Sequence, residues 1–201
     1  MSNPGHMHWE AVKRVIRYLK ETKDAKLILG RGGTLSWEEA GRTNRFGNEG
    51  YSDADGNSLE HRHAISGYAF CMDGGAVSWN SRKQALVSLS TTESEYVAVT
   101  HAAKEAIWIQ MFLGDILRPL TKPMVLYCDN QSAIAVAKND QYHARMKHIE
   151  IRYHFICESI IREIIEIRYC PTENMVADIF MRALPVKTFE HLRMLLGVHL
   201  D

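Results

Sequence analysis

Four acidic residues stand where solvation alone does not explain an acid. Asp53 lies in Gly50-Tyr51-Ser52-Asp53-Ala54-Asp55, just ahead of a run of strand signals. Glu95 falls in the first turn of a long helical pattern, and Asp129 directly follows the apolar run Val125-Leu126-Tyr127-Cys128. Asp178 is the most telling, because it interrupts Met175-Val176-Ala177-Asp178-Ile179-Phe180, where a carboxylate has no evident structural purpose. Burying a carboxylate is costly unless a cation or hydrogen-bond donors compensate it. Clustered carboxylates are the hard oxygen ligands that Mg²⁺ prefers to imidazole or thiolate. Two such ions about 4 Å apart can activate a water and stabilise a leaving oxygen, the chemistry of phosphodiester hydrolysis. Taken singly, Glu95 and Asp129 also fit helix caps, and Asp53 fits a turn. The order and setting of all four together carry the hydrolytic expectation.

Such acids need a scaffold, and the chain supplies signals for one. Ile65–Met72 and Ala76–Asn80 read as strands joined by the turn Asp73-Gly74-Gly75, and Gln84–Leu89 reads as a third strand. Ser90 with Glu93, and Thr92 with Glu95, form two overlapping capping boxes that should open a long helix running to about Leu117. Met124–Cys128 is a short apolar strand, after which Asp129-Asn130 should cap a helix over Gln131–Lys138. A helix over 146–163, a strand over Glu166–Cys170, a helix from Pro171 through Ala183 and an amphipathic segment Thr188–Leu196 complete the order. Strands and helices in this sequence predict an α/β fold with a mixed sheet flanked by helices.

The segments before that scaffold differ in character. Residues 9–23 place Val12, Val15, Ile16 and Leu19 on one helical stripe among Lys13, Arg14, Arg17 and Lys20, as expected of a helix packed by its apolar face. Six glycines between positions 30 and 50 rule out a continuous helix and mark the best candidate boundary. The expected organisation is a helical segment over 1–30, a glycine-rich linker over 31–47, the main domain over 48–185 and a helical tail over 186–201.

Bulk properties narrow the partners. Lys and Arg together number 24, as do Asp and Glu, so the net charge is zero and nucleic acid would be bound only by local patches. Two patches exist: residues 9–31 hold seven basic residues against three acidic, and residues 138–154 hold four against two, plus three histidines. Within the second, Lys147, His148 and Arg152 are candidates to touch phosphates. Thr92 and Gln131, next to acids of the cluster, are candidates to reach the 2′-hydroxyls that distinguish RNA. A zinc site at His148 and His154 is disfavoured, since a spacing of six puts them on different helical faces. Cys71, Cys128, Cys157 and Cys170 form no C-x-x-C pair and are expected to be reduced, which implies a reducing compartment. No apolar run approaches the length of a membrane span, and no secretory signal pattern opens the sequence.

The stretches GYSDAD (50–55), SGYAF (66–70), VSWNSRKQ (77–84), LSTTESEY (89–96), KEAIW (104–108), LYCDNQSAIAVAKN (126–139), KHIEIRYHF (147–155) and PTENMVADIF (171–180) together resemble the ribonuclease H domain of copia-type retrotransposons. The upstream HWEAVKRVIRYLKETKD (8–24) resembles the C-terminal end of the adjoining reverse transcriptase. The resemblance implies a ribonuclease H-like fold and endonucleolytic hydrolysis of the RNA strand of RNA·DNA hybrids during reverse transcription. Carried over by motif, the family's metal-binding and catalytic acids are Asp53, Glu95, Asp129 and Asp178, holding two Mg²⁺ or Mn²⁺ ions. The implied partners are the hybrid and the reverse transcriptase of the same polyprotein, with no membrane. The implied setting is the cytoplasmic virus-like particle of the parent element, with the nucleus as a second compartment. Departures include Met181-Arg182-Ala183-Leu184 in place of the family's Thr-Lys-Pro-Leu. The catalytic histidine that many cellular ribonucleases H carry before the final aspartate is also missing, since none occurs between His154 and His191. Slower turnover is expected from that absence. The rival expectations are an inactive, domesticated fragment that only binds, and an integrase-like nuclease.

Overall fold

A computed structural model of the chain describes residues 4–30, 49–55, 63–85, 87–116, 122–138 and 150–200. The glycine-rich segment 31–47, together with Tyr142, Lys147 and His148, lies outside the described residues.

Seven strands are described: β1 Lys26–Leu27, β2 Glu49–Asp55, β3 Ile65–Met72, β4 Gly75–Lys83, β5 Met124–Cys128, β6 Ile165–Tyr169 and β7 Val198–His199. Five helices accompany them: α1 His6–Glu21, α2 Thr91–Ile116, α3 Gln131–Lys138, α4 Glu150–Ile161 and α5 Val186–Leu195. The main sheet has the order β4-β3-β2-β5-β6, and β1 pairs separately with β7. Strands β2, β3 and β4 are antiparallel, while β5 is parallel to β2 and β6 to β5. Asp73 and Gly74 both take positive φ, 50° and 84°, which gives the β3–β4 hairpin a two-residue turn whose twist matches its strands. Parallel neighbours cannot be joined by a tight turn, so α2 carries the chain from the antiparallel half to β5. The result is a mixed sheet flanked by helices, in the α/β class that the pattern predicts.

Packing differs on the two faces. Against one lies α2, which buries Tyr96, Val99, Ala103, Ala106 and Ile109 against Phe70, Leu126, Ile165 and Ile167. Its alanines let the helix approach closely, and each fully buried aliphatic or aromatic side chain contributes roughly 1.5–3 kcal/mol. On the other face Ala69, Cys71 and Ala76 meet Val176, Leu192 and Leu196, which seats α5 on the sheet.

Several expectations need correction. Gln84–Leu89 is not a strand: β4 ends at Lys83, and the third antiparallel strand is Glu49–Asp55. The buried Gln84 amide instead donates from Nε2 to Ser66 Oγ (2.7 Å) and to the Ser94 carbonyl (2.8 Å), tying β3 to α2. The helix expected from Pro171 through Ala183 is two 3₁₀ turns, Thr172–Asn174 and Val176–Phe180. Met175, fully buried with ψ at 89°, breaks the helix between them. Among the described residues the capping is partial: only the Ser90–Glu93 pair takes part, and the Glu93 carboxylate reaches the N–H of Leu89 rather than that of Ser90. Ser90 Oγ accepts from the Glu93 N–H (3.2 Å) and Glu93 Oε2 accepts from the Leu89 N–H (2.7 Å), leaving Glu95 free of any capping duty. Helix α1 buries none of its residues in this chain, and its stripe of Val12, Val15, Ile16 and Leu19 is exposed.

Candidate active site

The register of two parallel strands brings the first acids together. Tyr51 on β2 pairs with Tyr127 on β5, and their rings stack with centroids 5.1 Å apart. Asp53 and Asp129 each stand two residues beyond that pair, so they emerge side by side from neighbouring strands. Glu95 reaches the same point from the start of α2, which rests on β2. Asp178 arrives on the second 3₁₀ turn, which packs on β2 and β3. Gly67, the β3 partner of Asp53, makes that approach possible: a Cβ there would lie 3.0 Å from the Ala177 carbonyl oxygen and 3.2 Å from Phe180 Cβ. Asp53, Glu95 and Asp178 are buried, and Asp129 is half-buried.

Electrostatics at this point are unfavourable without a cation. Burial, then the charge of Asp53, raises the Glu95 carboxyl far above the ordinary glutamate range. Burial, then the charge of Asp129, likewise raises Asp53, with Asp178 adding to the repulsion. Donors are few. The Ala54 N–H donates to Asp53 Oδ1 (2.8 Å) and Thr172 Oγ1 donates to Asp129 Oδ2 (2.8 Å). Among the described residues no donor reaches the buried Glu95 Oε2.

That orphaned oxygen fits a divalent cation. Ligand atoms of Glu95, Asp129 and Cys128 lie within 4.8 Å of one another. We exclude the thiol from the ligand set: burial holds its pKa well above the usual range, so it stays protonated, and hard cations prefer oxygen. The carboxylates of Asp53, Glu95 and Asp129 therefore form the oxygen-rich set. Asp178 is already engaged by Arg182, whose Nε and Nη2 donate to its two oxygens at 2.7 and 2.8 Å.

The substrate candidates scatter around this centre. Thr92, half-buried, lies one turn before Glu95 on α2, and Gln131 is exposed at the start of α3. Arg152 sits in the first turn of α4, half-exposed, and Phe155 of the same helix packs on the core. Two residues in contact with the acids escaped the sequence analysis. Arg182 was legible, since it follows Asp178 by four positions, the spacing at which opposite charges meet on one helical face. Thr172 gave no signal, as it lies 43 residues from the aspartate it contacts. No disulfide joins any of the four cysteines. No helix among the described residues is long and apolar enough to cross a membrane.

No protein-family model matches the chain. Over 200 residues it is 40% identical to the retrovirus-related Pol polyprotein from transposon TNT 1-94 of Nicotiana tabacum, covering 99% of this chain and 14% of that protein. It is 34% identical over 199 residues to the corresponding polyprotein from transposon RE2 of Arabidopsis thaliana, covering 98% of this chain and 13% of that one. A stretch of 109 residues is 44% identical to secreted RxLR effector protein 161 of Plasmopara viticola, covering 54% of this chain and 69% of that protein. The chain thus spans about one seventh of the polyproteins it matches, 14% and 13%. Among solved structures it is similar to RNase H1 from Halobacterium salinarum, with 16% identity and a TM-score of 0.49, covering 67% of this chain and 93% of that one.

Proposed function

This chain belongs to the Pol polyproteins of copia-type retrotransposons, and on that premise we propose that it is their ribonuclease H, hydrolysing the RNA strand of RNA·DNA hybrids with divalent cations. The observation that carries the reading is the meeting of Asp53, Glu95 and Asp129 around a buried oxygen that no donor among the described residues satisfies, with Asp178 beside them. Two Mg²⁺ or Mn²⁺ ions, when bound, would supply Lewis-acid stabilisation and an activated water.

The chain's own residues do the positioning. Asp53 and Asp129, set by the β2–β5 register, present carboxylates at the C-terminal ends of two central strands of the sheet. Glu95 brings a third from α2, held in a pocket where its charge is tolerable only against a cation. Asp178 closes the set from the 3₁₀ turn, and Thr172 orients Asp129 through its hydroxyl. Thr92 and Gln131 flank the acids where RNA 2′-hydroxyls would pass. Arg152, with Lys147 and His148, would meet phosphates. The ribonuclease H domain in this reading is residues 48–185, joined by the linker 31–47 to a helical segment of the adjoining reverse transcriptase over 1–30, with 186–201 as a helical tail. The working setting is the cytoplasmic particle in which reverse transcription proceeds, with access to the nucleus.

Substrate choice tests the reading. Labelled hybrid, duplex DNA, duplex RNA and single-stranded RNA of one sequence should be offered with Mg²⁺. Cleavage confined to the RNA strand of the hybrid is expected. Equal cutting of duplex DNA, or none of any substrate, overturns it.

A further inference from the structure

Residues 26–30 stand upstream of the glycine-rich segment, in the part of the chain that the ribonuclease H reading leaves outside its domain of 48–185. Their hydrogen bonds nevertheless go to that domain and to the tail behind it. Lys26 and Leu27 pair antiparallel with His199 and Val198 near the C-terminus. The Ile28 N–H donates to the Gly197 carbonyl at 2.9 Å, and the Gly30 N–H donates to the Asp73 carbonyl in the β3–β4 turn at 3.0 Å. The tail is bound to the same hairpin, since the Ala76 N–H donates to the Leu196 carbonyl at 3.0 Å. The 26–30 segment, the tail and the hairpin are thus joined pairwise by main-chain bonds.

Glycines let the three backbones meet. Gly197 takes a φ of 77°, and a Cβ there would lie 2.5 Å from the Gly74 carbonyl oxygen and 3.0 Å from that of Ile28. A Cβ at Gly75 would lie 2.5 Å from Leu29 Cδ2 and 2.9 Å from the Ile28 carbonyl oxygen. A side chain at either position would push the 26–30 segment away. Upstream, the Tyr18 ring of α1 meets Phe189 of α5 edge to face, with centroids 6.4 Å apart, so α1 also leans on the C-terminal helix.

What this segment holds bears on the acids. It fastens the chain directly after α5. Helix α5 and the tail contribute Leu192, Leu196 and Val198 to the cluster that packs Val176, two residues before Asp178 on the second 3₁₀ turn. Lys187, Thr188 and His191 of α5 wall one groove together with Asp178 and Arg182. A 3₁₀ turn this short has few hydrogen bonds of its own, so its place is set by what packs on it. A displacement of about 1 Å in a reacting group is enough to cost most of its effect.

We infer that residues 26–30 are a positioning strap for the active site, an outlying strand that ties the C-terminal tail to the β3–β4 hairpin and, through α5, holds Asp178 against the other three acids. The working domain then begins before Lys26 and ends after His199, and the sequence 31–47 is internal to it. The inference rests on the ribonuclease H reading for what Asp178 does, and it redraws the limits which that reading gives the domain.

The test uses the full chain. Leu27 and Val198 face each other next to the hydrogen-bonded pair Ile28 and Gly197, the close cross-strand spacing that suits a disulfide. Leu27→Cys with Val198→Cys should therefore close an intramolecular disulfide on mild oxidation. Ile28→Pro removes the N–H given to Gly197 and should open the strap. This variant should need several-fold more Mg²⁺ for half-maximal cleavage, with kcat reduced and KM for the hybrid within about a factor of two of wild type. The rise in Tm that Mg²⁺ produces should shrink too, a readout independent of cleavage. Adding the two cysteines to Ile28→Pro should restore the metal response when oxidised and lose it again when reduced. Failure of positions 27 and 198 to crosslink, or a wild-type metal response in Ile28→Pro, would overturn the strap while wild-type cleavage keeps the ribonuclease H reading. So would a loss in Ile28→Pro that the oxidised crosslink does not restore. A wild type that cuts no hybrid would overturn the ribonuclease H reading alone if the Mg²⁺ effect on Tm still follows the crosslink, and both if it does not.

Discussion

Arg182 grips Asp178 by two parallel hydrogen bonds, Nε to Oδ1 at 2.7 Å and Nη2 to Oδ2 at 2.8 Å, from four residues farther along the chain, just past the 3₁₀ turn. Asp178 raises the pKa of this guanidinium, first through the hydrogen bonds and then through its charge, and the fields of Asp53 and Asp55 add to the effect. A fixed positive charge therefore already serves an acid that the proposed cations also need.

Replacing Arg182 by Ala should act in opposite directions on the metal-free and metal-loaded protein. Without divalent ions the buried Asp178 loses its donors, at a cost of about 1 kcal/mol or somewhat more, and Tm falls by roughly 2–4 °C. With Arg182 gone, the Mg²⁺ concentration giving half-maximal cleavage should fall several-fold, because one competitor for the carboxylate has been removed. An unchanged metal requirement would show that Arg182 and the cation do not share Asp178.

The raised pKa values of Asp53 and Glu95 have a definite sign for stability. Each carboxyl binds its proton more tightly folded than unfolded. Its contribution is therefore complete below the ordinary carboxylate range and is lost as pH climbs through the folded-state values. Metal-free protein should lose thermal stability from about pH 4 upward through neutrality. Millimolar Mg²⁺ should cancel much of that loss by binding only the native cluster. Asp53→Asn keeps the acceptor for the Ala54 N–H and removes a repelling charge, so metal-free stability should rise and its pH dependence flatten. Melting curves across pH with and without Mg²⁺ decide the matter, and a flat profile in both would dissolve the cluster.

Gly67 sits between two acids, paired with Asp53 on the sheet and pressed against the turn that carries Asp178. An alanine Cβ would need the Ala177 carbonyl and the Phe180 side chain to yield by a few tenths of an ångström. Gly67→Ala should therefore cost activity more than stability, with kcat down roughly tenfold or more for a small misplacement of Asp178. Wild-type turnover in this variant would show that the 3₁₀ turn tolerates displacement.

How much of this was readable in the chain depended on how local each cause was. The β5 strand and helix α3 occur at the residues expected of them, because a short apolar run and the Asn130 cap act within a few positions; Asn130 Oδ1 accepts from the Ala133 N–H at 3.0 Å. The four acids were legible as charges at apolar edges. Their grouping was expected from their order and the family resemblance, but the long-range register of Tyr51 with Tyr127 that sets Asp53 beside Asp129 was not legible. Gln84–Leu89 misled by its short apolar run, which tertiary packing overrode by drawing the Gln84 amide into a buried strut. The segment Pro171 to Ala183 misled likewise, because burial of Met175 fixes its backbone outside the helical region.

The central claim is that the four acids hold cations that cut RNA in a hybrid. The most direct measurement compares the wild type with Asp129→Asn on an end-labelled RNA·DNA hybrid, each with Mg²⁺ and with chelator. An amide is a far poorer ligand than a carboxylate, so the variant should lose cleavage by several orders of magnitude yet keep its fold by circular dichroism. The wild type should cut the RNA strand with Mg²⁺ and not with chelator. Comparable cutting by Asp129→Asn, or by the wild type in chelator, would contradict the account.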